Sequence, residues 1–343
     1  MAGRVFLKGL EGERYDLRAH RRQRLAAPHV VHQSERAWRD EQAVGHEDAS
    51  PRSRAKWMVG PGDDPFLTQT VQCHFVAIDP GGSNGGHGHQ NEAAFYILQG
   101  QGYEIHDDRR YDWSAGDLVV VHNDCRHQHF NASPTEPALA IVVKPKCTWM
   151  MLGLTQQGRD TTVAREEADG FGPRQDWSRL WTPGVDRLRK VVHADQEPWQ
   201  DTPDGRIKWL ARPGMDVRLF GIDVWLEQLA PGPAPRHWHM ADELYYVLEG
   251  SGHTLEWQVE AEIAERYYAR VALRPCRHDW SAGDVVYVPQ NTVHRHVAGE
   301  GGALLLGAQN RLFRLLGYDA TVYPDLEAGR PGSGAPVGEE ARV

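Results

Sequence analysis

Seven side chains of this sequence have the types and spacing to grip divalent metals. His87 and His89 stand two apart, so on a strand both imidazoles leave the same face, and His127 follows 38 residues later. The arrangement recurs. His237 and His239 again stand two apart, Glu243 follows four residues on with the same parity, and His294 ends the run VVYVPQNTVH. Neutral imidazole suits Fe(II), Mn, Ni, Cu or Zn, and a carboxylate adds charge and favours the harder of these. Coordination positions left empty let a substrate or O₂ reach such a metal directly. One H-x-H pair alone reads more readily as a solvated or core pair. Two pairs, each in register with a distant third histidine, predict metal binding.

The elements that must position these residues are duplicated. DWSAGD occurs at 112–117 and again at 279–284, VVHQSERAW resembles VVHADQEPW, RAKWMV resembles RIKWLA, and HGHQNEAAFYILQG parallels HWHMADELYYVLEG. The offsets run 161, 152, 150 and 167, so order is kept while loop lengths vary. An insert of about 17 residues in the second copy, within WQVEAEIAERYYARVALRPCRH, predicts an extended hairpin beside the second cluster. Short, partly alternating apolar runs such as VQCHFVAI, ELYYVLEG and DVVYVP, bounded by Gly, Pro and Asp, read as strands. Helical character is confined to 17–41, 177–192 and 310–317. The division follows as an N-terminal helical extension (1–50), a first domain (51–153), a linker with a helix (154–200), a second domain (201–320) and a flexible tail (321–343).

Composition narrows the classes. The net charge of −9 arises from 47 acidic and 38 basic residues mixed along the chain, which favours neither nucleic acid nor a membrane surface. Four cysteines without a C-x-x-C pair fit a reducing, cytoplasmic setting. No stretch has the length of a signal peptide core or a membrane span, which predicts a soluble, unprocessed protein.

The pattern G…H-x-H-x₃-E…G followed by G-D-x₄-P-x₄-H resembles the cupin superfamily, and the second copy carries it as GPAPRHWHMADE and GDVVYVPQNTVH. The resemblance covers about 250 of the 343 residues. It implies an all-β fold of two tandem cupin (jelly-roll β-barrel) domains with short helical N-terminal and linker segments, a metal in each barrel mouth, and a homodimer or higher homo-oligomer. The first copy departs from the pattern. Ala93 stands where Glu243 stands in the second, Glu92 is one residue off and turned away by strand parity, and His122 replaces the proline.

A three-histidine site without the glutamate is similar to the iron site of the gentisate, salicylate and hydroxynaphthoate ring-cleaving dioxygenases. By that resemblance His87, His89 and His127 would hold Fe(II), the small-molecule substrate and O₂ would complete it, and His129 would bind substrate or shuttle a proton. The expected function is thus a dioxygenase of a small aromatic or enolic hydroxy acid. His237, His239, Glu243 and His294 would hold Fe, Mn, Zn or Ni. Two alternatives stand beside this: a redox-neutral decarboxylase or isomerase using the second site, and a non-catalytic metal or small-molecule binder.

Other residues read as structural. Cys73 is expected to be a small buried thiol, and Cys125 and Cys276 to be packed or exposed. His32 and His193 are expected to make structural hydrogen bonds, and Trp57, Trp113, Trp209 and Trp280 to pack in cores or between barrels. Arg236 and Arg295 are out of phase with the ligands.

Overall fold

The computed structural model describes residues 22, 25–40, 52–60, 69–154, 157–159, 173, 175, 176 and 180–327. The alternation of each strand sorts its side chains between two cores. In Gln72–Ile78, Cys73 and Phe75 join a cluster shared by both halves, while Val76 and Ile78 turn into the first half's own interior. Trp225, Leu229, Tyr245 and Val247 make the corresponding interior of the second half. Phe75 meets Tyr246 edge-on across the shared core, ring centroids 5.4 Å apart. A strand apolar on both faces is therefore buried on both faces, as its near-continuous apolar run requires.

Each half is a jelly-roll barrel of antiparallel strands. Among the described residues the first half forms a seven-stranded and a five-stranded sheet. In the second, Glu243–Ile263 and Thr292–Asn310 run through both layers and join them into one eleven-stranded sheet. Register shifts at Val247/Glu249 and Gly250/Gly252 let the long strand bend from one layer to the other.

The repeated DWSAGD string has a mechanical explanation. Asp117 Oδ2 accepts the Ser114 amide at 2.8 Å and Asp284 Oδ2 the Ser281 amide at 2.8 Å. The turns need glycine, because Gly116 (φ 93°) and Gly283 (φ 95°) adopt left-handed backbone. Trp113 and Trp280 lie buried over Gly102 and Gly252, where an added Cβ would come within 2.5 and 2.6 Å of the indole.

The halves exchange their leading strands. Val30–Val31 pairs with Val285 and Val286 of the second barrel, and Val191–His193 pairs with Asp117, Leu118 and Val119 of the first. His32 Nδ1 lies 2.8 Å from Asp284, and His193 Nδ1 lies 2.8 Å from Asp117. The expected hydrogen bonds of these histidines are therefore present, and they join the two repeats.

Helix is scarcer than the sequence pattern predicts. Where 17–41 is described, it holds the strand Val30–Val31, a 3₁₀ turn at Gln33–Glu35 and the strand Arg39–Asp40, with helical backbone at Arg22 and Leu25; 17–21, 23, 24 and 41 lie outside the described residues. Sheet pairing overrides local propensity there. Within 177–192, Pro183 and Gly184 (φ 92°) interrupt the pattern, leaving a 3₁₀ turn at Val185–Arg187 before the exchanged strand. The third segment does form a helix, at Leu312–Leu315. The segment expected as a flexible tail is docked in its first part: Val322 exchanges backbone hydrogen bonds with Trp238, and Pro324–Glu327 is a helical turn. Residues 328–343 lie outside the described residues. The insert is the hairpin expected, with 259–263 pairing 267–271. Among the described residues no helix is long and apolar enough to cross a membrane.

Candidate metal centres

In the second barrel, His237–His239 pairs with Thr292–Asn310 so that His237 faces His294, and Glu243 opens the neighbouring long strand. The four side chains converge, each offering one ligand atom within 4.8 Å of the others. His237 Nδ1 lies 3.2 Å from Asp204 Oδ1, and the Nδ1 atoms of His239 and His294 face the carbonyls of Ala241 (3.0 Å) and Thr292 (3.1 Å). The two carbonyls select the Nδ1–H tautomer of His239 and His294 and turn their Nε2 inward. The Nε2 atoms of His239 and His294 reach 3.1 and 3.4 Å from Glu243 Oε2, and both are buried without a hydrogen-bond partner. Burial alone would raise the Glu243 carboxyl, but His239 and His294 beside it hold it well below the usual carboxylate range. Tyr245 Oη donates to its Oε2 and Gln309 Nε2 to its Oε1. Inward, orphaned imidazole nitrogens around an ionised carboxylate fit a divalent first-row metal.

This cluster opens on a cavity of about 250 Å³, whose lining includes Trp209, Trp225, Glu227, Arg311 and Tyr323. Glu227 is 6% exposed and accepts the Trp225 Nε1–H at 3.2 Å. Burial, reinforced by the nearby Asp204 and Glu243 charges, pushes its carboxyl up to about 7. Tyr323 donates to Asp204 at 2.6 Å, so the docked C-terminal segment helps to line the cavity. Arg236 and Arg295 point away, as their parity predicts, and pair with Asp325 of that segment. The Tyr267 ring of the inserted hairpin stacks on Trp238, between the two histidines.

In the first barrel His87, His89 and His127 converge similarly, with ring centroids 4.5 to 5.4 Å apart. His87 Nδ1 faces the Gly85 carbonyl at 2.8 Å and His127 Nδ1 that of Cys125 at 3.2 Å. Burial, then the neighbouring His87, push His89 down to about 3, which keeps it neutral and available to a metal. The linker backbone at Gln157–Arg159 pairs with His87–His89 as an edge strand. Ala93 pairs with Val121 as Glu243 pairs with Val288, so no carboxylate enters here. Glu92 does turn away: its carboxylate accepts the amides of Phe220 (2.8 Å) and Gly221 (2.6 Å) in the other half. Asp242, its counterpart, accepts the Thr70 amide at 2.7 Å. His129 lies beneath His127, its ring against Phe95 and its Nδ1 3.1 Å from Glu104.

Sequence reasoning missed Asp204, Glu227 and Tyr323 in the second barrel and Glu104 and His106 in the first. Glu227 had a signal, a charge at an inward position of the otherwise apolar strand Ile222–Leu229, which Asp223 shares at the same parity. Glu104 and His106 share the inward face of Gln101–His106 at period two. Asp204 and Tyr323 reach the site from a turn and from the chain end, where no periodicity points. Cys73 is wholly buried, and burial pushes its thiol up to about 12, as an inert core residue requires. Cys125 is buried and Cys276 exposed. Trp113 and Trp280 are core residues, whereas Trp57 is 38% exposed at the barrel edge, stacked on His74, and Trp209 lines the cavity.

The chain is thus a tandem pair of jelly-roll barrels, each with its histidines inside. Residues 74–144 match the family described as Cupin domain. Solved structures carry the likeness over both barrels. One is a mutant of oxalate decarboxylase from Bacillus subtilis, at 16% identity and a TM-score of 0.60 over 89% of this chain and 82% of that one. Another is the formate complex of Lactobacillus farciminis oxalate decarboxylase, at 14% identity and a TM-score of 0.61 over 89% and 91%. A third concerns the Mn(II) centers of the Bacillus subtilis enzyme, at 16% identity and a TM-score of 0.58 over 89% and 82%. No curated protein sequence matches this chain significantly.

Proposed function

We propose that the protein is a metal-dependent cupin enzyme whose second barrel carries out a redox-neutral reaction, decarboxylation of a small carboxylic acid. The observation that carries this reading is Glu227, a buried carboxyl poised near neutrality in the same cavity as the complete three-histidine, one-glutamate set. His237, His239, Glu243 and His294 would hold the metal, with Mn(II) favoured by the carboxylate donor and by the likeness to manganese-containing decarboxylases. When bound, the metal supplies a positive charge to anchor the substrate and to spread the charge that develops on it. Loss of CO₂ leaves the electron pair of the broken C–C bond on the remaining carbon. Glu227 is placed to give that carbon a proton and to be reprotonated from solvent. Asp204 orients His237, and Trp209, Trp225 and Tyr323 limit water.

The dioxygenase reading rests on the carboxylate-free trio His87, His89 and His127, with His129 below it. The strand register makes Val76 and Ala93 the counterparts of Glu227 and Glu243, so the first barrel lacks both acids. The redox-neutral alternative therefore takes precedence. A homodimer stays part of the proposal, supported by Ile263, Val271 and Leu273 exposed along the hairpin.

The deciding experiment is turnover of Mn(II)-loaded protein, in air and anaerobically, with a panel of small mono- and dicarboxylic acids and hydroxy-aromatic acids, following CO₂ and O₂. Release without O₂ uptake, lost in Glu243→Ala and retained in His87→Ala, is expected. Oxygen consumption matching turnover with hydroxy-aromatic acids would return the chemistry to the first barrel.

A further inference from the structure

The first barrel holds a second constellation of metal-binding side chains that shares no residue with its histidine trio. His106, His122 and Cys125 are all buried, and their ligand-capable atoms lie within 4.8 Å of one another. They come from three separate places: the end of strand Gln101–His106, the residue following strand Asp117–Val121, and the start of strand Cys125–Asn131. Cys125 pairs with His89 and leaves the sheet on the inward face, as His127 and His129 do. His122 Nδ1 faces the Asn123 carbonyl at 2.9 Å, which leaves Nε2 directed inward. That Nε2 is buried, and His106 Nδ1 is buried with no hydrogen-bond partner. Asp107 Oδ2 lies 3.2 Å from His122 Nε2, at the edge of the cluster. Glu104, 2.9 Å from His106 Nε2, would orient that ring from behind and leave Nδ1 to bind.

Buried imidazole nitrogens without partners cost free energy unless something takes their lone pairs. The Cys125 thiol, whose one hydrogen bond is a long one to the Arg126 carbonyl at 3.4 Å, adds a soft donor to them. The strand offsets of 150 and 167 put Glu256, Pro289 and Thr292 at the corresponding positions of the second barrel, so the set belongs to the first alone.

We propose that His106, His122 and Cys125 form a third metal site in this chain, of the thiolate–imidazole type that takes zinc, with a fourth position left to solvent. It adjoins the His87, His89 and His127 site through the His106–His127 ring contact, centroids 5.9 Å apart. The first barrel would then carry two metals and the second barrel one.

The test is titration of the metal-free protein with Co(II), read by absorption, together with zinc analysis after equilibrium dialysis. A sulfur-to-cobalt charge-transfer band in the near ultraviolet is expected. It should vanish in Cys125→Ser, weaken strongly in His122→Ala and persist in His87→Ala. Zinc content should fall by one equivalent in Cys125→Ser with circular dichroism unchanged. Absence of the band in the wild-type protein needs no variant to interpret and sinks the proposal. A band that disappears in His87→Ala as well would show one shared metal in the first barrel, and overturns it too.

Discussion

Glu227 and Glu243 face one cavity, yet their surroundings drive them to opposite protonation states. His239 and His294 beside Glu243 keep it charged, whereas burial and the nearby Asp204 and Glu243 charges outweigh the Trp225 indole N–H and let Glu227 keep its proton to about pH 7. Two carboxyls whose environments separate them in this way divide the labour of ligand and acid.

Glu227→Gln should therefore lower kcat by about 10²- to 10⁴-fold while metal content stays the same. Because the protonated form is the donor, wild-type kcat should fall as pH rises through about 7. A pH profile that is flat there, or unaltered in Glu227→Gln, contradicts the assignment.

Metal removal should destabilise the protein. A ligand present at 100 times its Kd contributes about 2.7 kcal/mol to the folded state, so a chelator should lower Tm measurably. His239→Ala should lose the second barrel's metal and keep those of the first, and His89→Ala should lose one first-barrel metal and keep the second barrel's. Metal analysis of the two variants checks this.

Glu92→Ala should cost about 1–3 kcal/mol, because the amides of Phe220 and Gly221 lose their acceptor. Asp242→Ala should cost a similar amount through Thr70 and Tyr287. Urea unfolding measures both. A change below about 0.5 kcal/mol would mean that these carboxylates do not hold the halves together.

Asp325→Ala should leave Tm nearly unchanged, since its pairs with Arg236 and Arg295 are partly exposed and such pairs contribute under about 1 kcal/mol. It should nevertheless loosen the segment that carries Tyr323. Faster proteolysis near the C-terminus, with a raised KM, is the expected result, and Tyr323→Phe should reproduce the KM change without the proteolysis.

The barrel repeat and both histidine clusters were legible because each rests on strand parity or on a string that folding geometry holds fixed. DWSAGD persisted since its Trp, Gly and Asp each satisfy a contact that other residues would break. The parity argument also placed Glu92 correctly. What escaped was long-range: Asp204 enters from a turn, Tyr323 from the chain end, and Val30–Val31 leaves its own half altogether. Helix was over-read at 30–40 for that last reason, as pairing with a distant strand decides the conformation of Val30–Val31. Cys125 looked like packing from sequence because His106 and His122, 19 and 3 residues before it, fall beside it only when the barrel closes.

The exchanged strands carry a consequence for the protein's ancestry and handling. A single-barrel precursor built this way would present its leading strand to a neighbour and leave its own sheet edge bare, so two copies would have clasped each other before one gene encoded both. The covalent connection then converted a concentration-dependent partnership into a permanent one. The present halves should accordingly behave as complementary fragments: each alone sticky and poorly folded, and the two co-expressed on separate chains reassembling into the native pair.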